Sequence, residues 1–479
     1  MKRILIISYY YPPLLDVGAL RALGFSRYLP EYGWQPYVVS VKNPDPDYCL
    51  LGKESFPSHV QVFYTRSLVN LARLNGLANG FLCRALGLLG KNHSQNPADI
   101  FFLPDIFVGW TPLSFWTAYR LIRRYKIDVI YVSAKPFSST LTGAVLKRLT
   151  GKFLILDFRD PMSLEAIGVD TPEENGLYWS AIRRLEKLVL SQADWLLVTS
   201  QRTREQYLSL YPFLQDKCSV IYNGFLDELL PAGQGQGREK SEGRGEKSEE
   251  GREKREEFPP SPFPLHPSSK DAAACPGSQE KSGDTCLPSA SSQVPIFSII
   301  YTGNFYPTLP GADVFFQGLQ QVLAEGRIFR EKIRFFYFGN NEEWFQGMKE
   351  KYCLHGVIKH CGYTNRKQAL QYISNASLFL LRSRGNMISA KLYEALAIGK
   401  PILSLDSTDE VAQLIRNYSS NFSLLFPGDG SERVAEAIHN AYIRWESGDW
   451  PAIPNEAYLQ RFNKRHLTHQ LACILEKAC

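Results

Sequence analysis

The sequence predicts two doubly wound parallel α/β domains facing a cleft, and three observations predict it. Short runs of β-branched and aromatic residues alternate with stretches whose apolar residues recur at three- and four-residue spacing. The alternation occurs twice, on either side of a low-complexity segment at 232–293. At 479 residues, with 44% apolar and 21% charged content, the chain is long enough for each half to bury its own core.

In the first half the strands are expected at Arg3–Ser8, Tyr37–Val41, Val60–Tyr64, Asp128–Ser133, Phe153–Asp157 and Trp195–Thr199. In the second they are expected at Phe297–Thr302, Arg334–Phe338, Ser377–Leu381, Pro401–Leu405 and Phe422–Phe426. Leu392, Ala395, Leu396 and Ile398 form the stripe of a helix over Ile388–Ile398, stopped by Gly399 ahead of Pro401. An amphipathic helix follows at Leu459–Lys477. The expected organisation is an acceptor domain at 1–231, a linker at 232–293, a second Rossmann-like domain at 294–455 and a closing helical segment at 456–479.

The Gly-, Ser-, Pro-, Glu- and Lys-rich segment 232–293 cannot bury enough apolar surface to offset its ordering entropy and reads as a solvated linker. It holds nine basic and eleven acidic residues, so the remainder carries +8 of a net charge of +6. That charge is too diffuse for a dedicated nucleic-acid binder. The nine cysteines are scattered singly, with no zinc-ligand spacing, which points to a reducing compartment and no metal. The apolar run Ile4–Ile7 is too short for a signal peptide, and no run of 18 apolar residues occurs, so a cytoplasmic location is expected.

Ligands of such sheets sit at the carboxyl ends of the strands, so the loops there carry the chemistry. Gly18 leads from the first strand into a helix, and Gly303-Asn304 follows Thr302 in the same way. Ser138 and Ser139 follow the fourth strand. Asp157-Phe158-Arg159-Asp160 ends the fifth, either as ligands of sugar hydroxyls or as an ion-pair cluster that shapes the turn. Past the strand ending at Leu381, Arg382, Arg384, Gly385 and Asn386 lead into the Ile388–Ile398 helix, which has Ser389 in its first turn and carries Lys391 and Glu394 one turn apart on one face. Taken alone, the Lys391–Glu394 pair reads first as an i, i+3 surface salt bridge; in the other reading a diphosphate meets the helix start with Ser389 and the Lys391 or Arg384 charge, and Glu394 takes paired ribose hydroxyls.

In this order, Tyr11-Pro12-Pro13…Gly18…Arg21, Gly109-Trp110, Pro136-Phe137-Ser138-Ser139, Asp157–Pro161, Val220–Phe225, Tyr301-Thr302-Gly303 and Lys391–Pro401 resemble the family 4-like glycosyltransferases of the GT-B fold. The resemblance covers nearly all of the chain outside the linker. It implies transfer of a hexose from a nucleotide-diphosphate sugar to a glycan or lipid-linked acceptor, with retention, without a metal and with no cofactor beyond the donor co-substrate. It places the donor in the second domain and the acceptor in the first, with the last helix crossing back. Glu394 matches the second glutamate of the family's Glu-x7-Glu motif.

Taken with the loops described above, donor contacts are expected from Gly18, Gly303, Asn304, Arg382, Arg384, Gly385, Ser389, Lys391 and Glu394. Acceptor contacts are expected from Ser138, Ser139, Asp157 and Arg159, and catalytic roles from Glu394, Asn386 and Asp160. Three departures stand out: Asn386 replaces the motif's first glutamate, no cation follows Gly303 through Pro310, and Thr140 stands where many relatives carry His. The alternative they raise is a catalytically weak nucleotide-sugar-binding or partner subunit of a glycan assembly complex. Leu68, Leu71, Leu74, Ala78, Phe81 and Leu82 lie at helical spacing within Ser67–Lys91, either as a core stripe or as a peripheral anchor on the inner face of the cell membrane. No nucleic-acid partner is expected.

Overall fold

The computed structural model describes residues 1–13, 18–42, 57–67, 103–163, 177–229, 295–383, 385 and 387–478. The linker and, apart from Ser67, the apolar Ser67–Lys91 stretch lie outside the described residues, as do Arg384 and Asn386.

The first domain is built from β1 (Lys2–Ser8), α1 (Ala19–Tyr28), β2 (Trp34–Val41), β3 (Gln61–Thr65), α2 (Thr111–Tyr125), β4 (Val129–Ala134), α3 (Ser138–Thr150), β5 (Phe153–Phe158), α4 (Leu177–Gln192), β6 (Trp195–Val198), α5 (Gln201–Leu210) and β7 (Cys218–Val220). Its sheet is parallel in the order β3-β2-β1-β4-β5-β6-β7. The second comprises β8 (Phe297–Thr302), α6 (Val314–Ala324), β9 (Ile333–Phe338), α7 (Glu342–Lys351), β10 (Ile358–His360), α8 (Arg366–Asn375), β11 (Leu378–Arg382), α9 (Ala390–Ile398), β12 (Ile402–Leu405), α10 (Asp409–Tyr418), β13 (Phe422–Leu424) and α11 (Ser431–Glu446). Its order, β10-β9-β8-β11-β12-β13, is also parallel. The order reverses between β1 and β4 and between β8 and β11, and these switch points aim the Gly18 and Gly303 loops at the cleft.

All the strands expected from the sequence form. β7 and β10, three-residue strands at the sheet edges, were not expected. The central strands are continuous apolar runs because both sheet faces are covered: Ile4, Leu5, Ile6 and Ile7 are all wholly buried. On one face α2, α3 and α4 contribute Leu121, Leu146 and Ile182. On the other α1 meets the end of the chain, where Leu23 and Phe25 pack with Leu467, Leu471 and Leu475.

The expected last helix is two helices, α12 (Glu456–Phe462) and α13 (Lys464–Glu476). Asn463 breaks it, accepting the His466 N–H at 2.7 Å as the cap of α13 and donating to the Leu459 carbonyl at 2.8 Å. At this break Phe225 donates to the Phe462 carbonyl (3.1 Å) and Lys464 donates back to the Phe225 carbonyl (3.0 Å), tying the segment that leaves the first domain to the returning one. Gly224 has φ +61°, and a Cβ there would stand 2.3 Å from the Phe462 carbonyl oxygen, so only glycine fits.

Below this junction lies a buried ion pair. Arg21 of α1 donates through Nε and Nη2 to the two Asp157 oxygens (2.5 and 3.0 Å) and through Nη1 to the Tyr222 carbonyl (2.8 Å). The Tyr131 hydroxyl also donates to Asp157. Burial works against the Arg21 charge, but Asp157 and Tyr131 outweigh it and raise the guanidinium pKa. Among the described residues no helix is long and apolar enough to cross a membrane.

Removing one member of such a pair strands the other charge. Asp157→Ala is expected to destabilise the chain by about 3–5 kcal/mol in denaturant titration. Tyr131→Phe removes one hydrogen bond to a charged group and is expected to cost about 1.5–3 kcal/mol.

Candidate active site

Gly303 follows β8 with φ +95°, donating its N–H to the Phe338 carbonyl at 2.6 Å. Into this turn comes the Lys391 side chain from the first turn of α9. Its ammonium donates to the Thr302 carbonyl and lies 5.9 Å from the Tyr301 ring centroid. A Cβ at Gly303 would be 1.8 Å from Lys391 Nζ, so glycine is required for the lysine to reach the turn. Burial pulls the Lys391 pKa down to about 8, partly offset by the Glu394 charge.

Ser389 is the extended residue that starts α9, so the helix begins two residues later than the sequence predicts. Its hydroxyl makes no cap bond. Asn304 shapes its own turn, accepting from the Tyr306 N–H at 2.9 Å, while its carbonyl takes the Tyr301 hydroxyl at 2.8 Å. Gly385 adopts φ +50°.

Arg382, expected to meet donor phosphate, is wholly committed elsewhere. Nε donates to Asp406 (2.9 Å), Nη1 to the Phe305 and Tyr306 carbonyls (2.9 and 3.0 Å), and Nη2 to those of Leu309 and Pro310 (3.4 and 2.8 Å). A guanidinium has five N–H donors, and all five are used. The structure therefore corrects that expectation: Arg382 is a strut that fastens the cation-free 304–310 loop, and Lys391 is the cation at the turn.

A cavity of about 330 Å³, including its open mouth, lies between the domains, lined by Arg21, Asn223, Gly224, Arg366, Glu394 and Lys464 among others. Glu394 faces it and accepts from Arg366 Nε at 2.8 Å. Lys464, the first residue of α13, spans the cavity wall and donates to the Asn223 carbonyl. Burial, reinforced by the Arg21 charge, holds the Lys464 pKa well below the usual lysine value.

On the first-domain side, Asp160 lies 3.0 Å from Arg159 Nη2 and 3.6 Å from Lys135 Nζ. Burial opposes its charge, but the two cations prevail and hold its pKa below the usual carboxylate range. The turn after Asp160 is fixed by the buried Glu186, which accepts from the Ser163 N–H (3.1 Å) and from the Tyr207 and Tyr211 hydroxyls (2.7 and 2.9 Å). Gly18 leaves room for Arg159, whose Nη1 would be 2.4 Å from a Cβ at that position.

Three expected acceptor ligands have other surroundings. Asp157 is wholly buried and joined to Arg21, not to its sequence neighbour Arg159. Ser138 and Ser139 are also wholly buried, in the first turn of α3, and the Ser138 N–H donates to Asp105 at 3.0 Å. As placed, none of the three presents a side chain to an open surface.

The structure thus gathers Gly303, Asn304, Ser389, Lys391 and Glu394 on the second domain and Gly18, Arg159 and Asp160 on the first. Sequence reasoning missed Lys464 and Arg366. The signal for Lys464 was a lysine on the buried stripe shared with Leu467, Leu471 and Leu475. Among the described residues no three His, Cys, Asp or Glu side chains are grouped so as to hold a metal.

Residues 20–228 match the family model described as Glycosyltransferase Family 4, and residues 296–443 match that described as Glycosyl transferases group 1. The chain is a family 4-like glycosyltransferase of the GT-B fold. No curated protein matches it. Among solved structures it resembles sucrose-phosphate synthase from Thermosynechococcus elongatus, at 16% identity and TM-score 0.57, over 100% of this chain and 99% of that one. It also resembles a glycosyltransferase from Rickettsia africae, at 12% identity and TM-score 0.54, over 100% and 98% of the two chains. A third likeness is to the E. coli trehalose-6-phosphate structure bound with UDP-2-fluoro glucose, at 11% identity and TM-score 0.55, over 100% and 99%. At these identities the likeness is one of fold.

In this glycosyltransferase the Arg382 strut sets the shape of the turn below Lys391. Arg382→Ala removes the donor to Asp406 and to four carbonyls, of which those of Tyr306 and Leu309 still accept the Leu309 and Ala312 N–H groups. We expect a loss of at least about 2 kcal/mol in stability and faster proteolysis within residues 304–310.

Proposed function

We propose that this glycosyltransferase moves a hexose from a nucleotide-diphosphate sugar to a glycan or lipid-linked acceptor at the inner face of the cell membrane, in polysaccharide or glycolipid assembly. Retention of configuration and independence of metal follow from the family resemblance. The observation that carries the reading is the pairing, on one short helix, of an ammonium delivered to the Gly303 turn with a carboxylate facing the interdomain cavity. Lys391 meets the diphosphate and stabilises the charge that grows on it as the sugar leaves, and Glu394 exchanges Arg366 for the ribose hydroxyls.

Asp160, held ionised by Arg159 and Lys135, is too weak a base to remove an acceptor proton. It orients the acceptor hydroxyl and favours positive charge developing on the donor sugar. The leaving diphosphate takes the proton as the acceptor oxygen attacks, so no protein nucleophile is needed. Arg384 and Asn386 are assigned to the diphosphate and the donor sugar on sequence grounds. The commitment of Arg382 to the 304–310 loop favours a second reading, a nucleotide-sugar-binding subunit with little turnover of its own.

Hydrolysis and binding of uridine, guanosine and adenosine diphosphate sugars separate the two. We expect slow hydrolysis of one donor class, abolished by Glu394→Ala. Tight binding without turnover for every donor and acceptor tried supports the subunit. Because Lys391 loses its proton near pH 8, donor affinity is expected to hold below about pH 7 and to fall by up to about tenfold per unit above pH 8. Lys391→Met should bind weakly with no such slope, and unchanged binding in that variant removes the donor-site assignment.

A further inference from the structure

The layer formed by α2, α3 and α4 on the open face of the first domain combines basic and exposed apolar residues. The three helices lie side by side, with α3 between the others. Neither α2 nor α3 contains an acidic residue, and the only one in α4, Glu186, is buried among tyrosines. Against this they carry eight basic residues, Arg120, Arg123, Arg124, Lys147, Arg148, Arg183, Arg184 and Lys187, of which Lys147 is paired at 2.6 Å with Asp194, just past the end of α4. Between the cations large apolar groups protrude: Trp116, Leu149 and Leu188 are 51%, 61% and 59% exposed. Trp116 lies nearly parallel to Tyr119, with the Arg120 guanidinium 5.4 Å from its ring.

Helix-dipole compensation accounts for the cations in the last turns of α2 and α3 but not for Arg183, Arg184 and Lys187 in mid-helix, nor for the exposed apolar groups. Two helices of the second domain mix the signs: α7 sets Glu342, Glu343 and Glu350 against Lys349 and Lys351, and α11 sets Glu432, Glu436 and Glu446 against Arg433 and Arg444. The opposite face of the first domain is occupied by α13.

We propose that the α2–α3–α4 face docks on an anionic lipid surface, its cations meeting the headgroups and Trp116, Leu149 and Leu188 entering the interface. Exposed leucines gain nothing from a nucleic-acid backbone but gain burial from acyl chains. Crossover helices run antiparallel to their strands, so the N-termini of this layer lie at the cleft end, while Arg123, Arg124, Lys147, Arg148 and Leu149, in the last turns of α2 and α3, lie at the end remote from it; docking holds the first domain to the bilayer by this layer and leaves the cleft mouth open. The proposal deepens the reading of an enzyme working at the membrane surface, and rests on it.

The test is sedimentation of the full chain with vesicles of phosphatidylcholine mixed with phosphatidylglycerol, against phosphatidylcholine alone. We expect binding only to the mixed vesicles, released by salt. Arg120→Glu/Arg123→Glu/Arg124→Glu should weaken it at least tenfold, and Trp116→Ser/Leu149→Ser should lower the salt concentration that releases it. Arg327→Glu, a charge reversal on the second domain, should change nothing. Donor hydrolysis without vesicles should be the same in all these variants, so a failure of docking is distinct from a failure of the donor site. The proposal is overturned if the wild-type chain ignores the mixed vesicles, if the triple variant binds as well as wild type, or if duplex RNA competes the chain off the vesicles and is itself lost in the triple variant.

Discussion

The buried Arg21–Asp157 pair is the interaction on which the geometry of this glycosyltransferase depends. Its guanidinium joins the first cleft-facing helix to the end of β5, and through the Tyr222 carbonyl it also holds the segment that leaves the first domain. Two residues on, Gly224 and Phe225 receive the returning chain at Phe462 and Lys464. One pair of charges therefore sets where the two domains meet. The cost of burying it is met by a full set of partners, with Tyr131 as the third donor to Asp157.

A second constraint follows in the donor half. The 304–310 loop has no cation of its own, and the nearest arginine is consumed in holding the loop's carbonyls. A cation at the Gly303 turn must come from another element, and α9 supplies it through Lys391. The partial burial that delivers this ammonium also lowers its pKa, so position and proton affinity are coupled. In the first domain charge is used differently: Asp160 is kept ionised between two cations, a carboxylate suited to orienting rather than to proton transfer.

The fold was legible because strands buried on both faces must be unbroken apolar runs, and helices between them must carry a stripe. β7 and β10 escaped notice because three residues make too short a run; β13, as short and also at an edge, stood out because Leu425 and Phe426 extend its apolar run. Lys391 and Glu394 were legible because local spacing places them on one helical face. Arg382 was misread because its partners are mostly backbone carbonyls, which leave no trace in a sequence. The burial of Asp157, Ser138 and Ser139 was missed for a related reason: a polar residue at a strand's carboxyl end reads alike whether it faces the cleft or a buried partner such as Arg21, 136 positions away. The apolar stretch between β3 and α2, weighed as a membrane anchor, lies outside the described residues beyond Ser67. The basic layer of α2, α3 and α4 emerges only once the fold sets three separate helices side by side.

The central claim is that one nucleoside diphosphate spans Lys391 and Glu394 across the interdomain cavity. A crystal structure of the full chain with the uridine, guanosine or adenosine diphosphate that binds it tests this most directly. The account predicts phosphate oxygens at Lys391 Nζ beside the Gly303 turn and ribose hydroxyls on Glu394 in place of Arg366. A nucleotide seated elsewhere, with the Lys391–Thr302 and Glu394–Arg366 contacts intact, would contradict it.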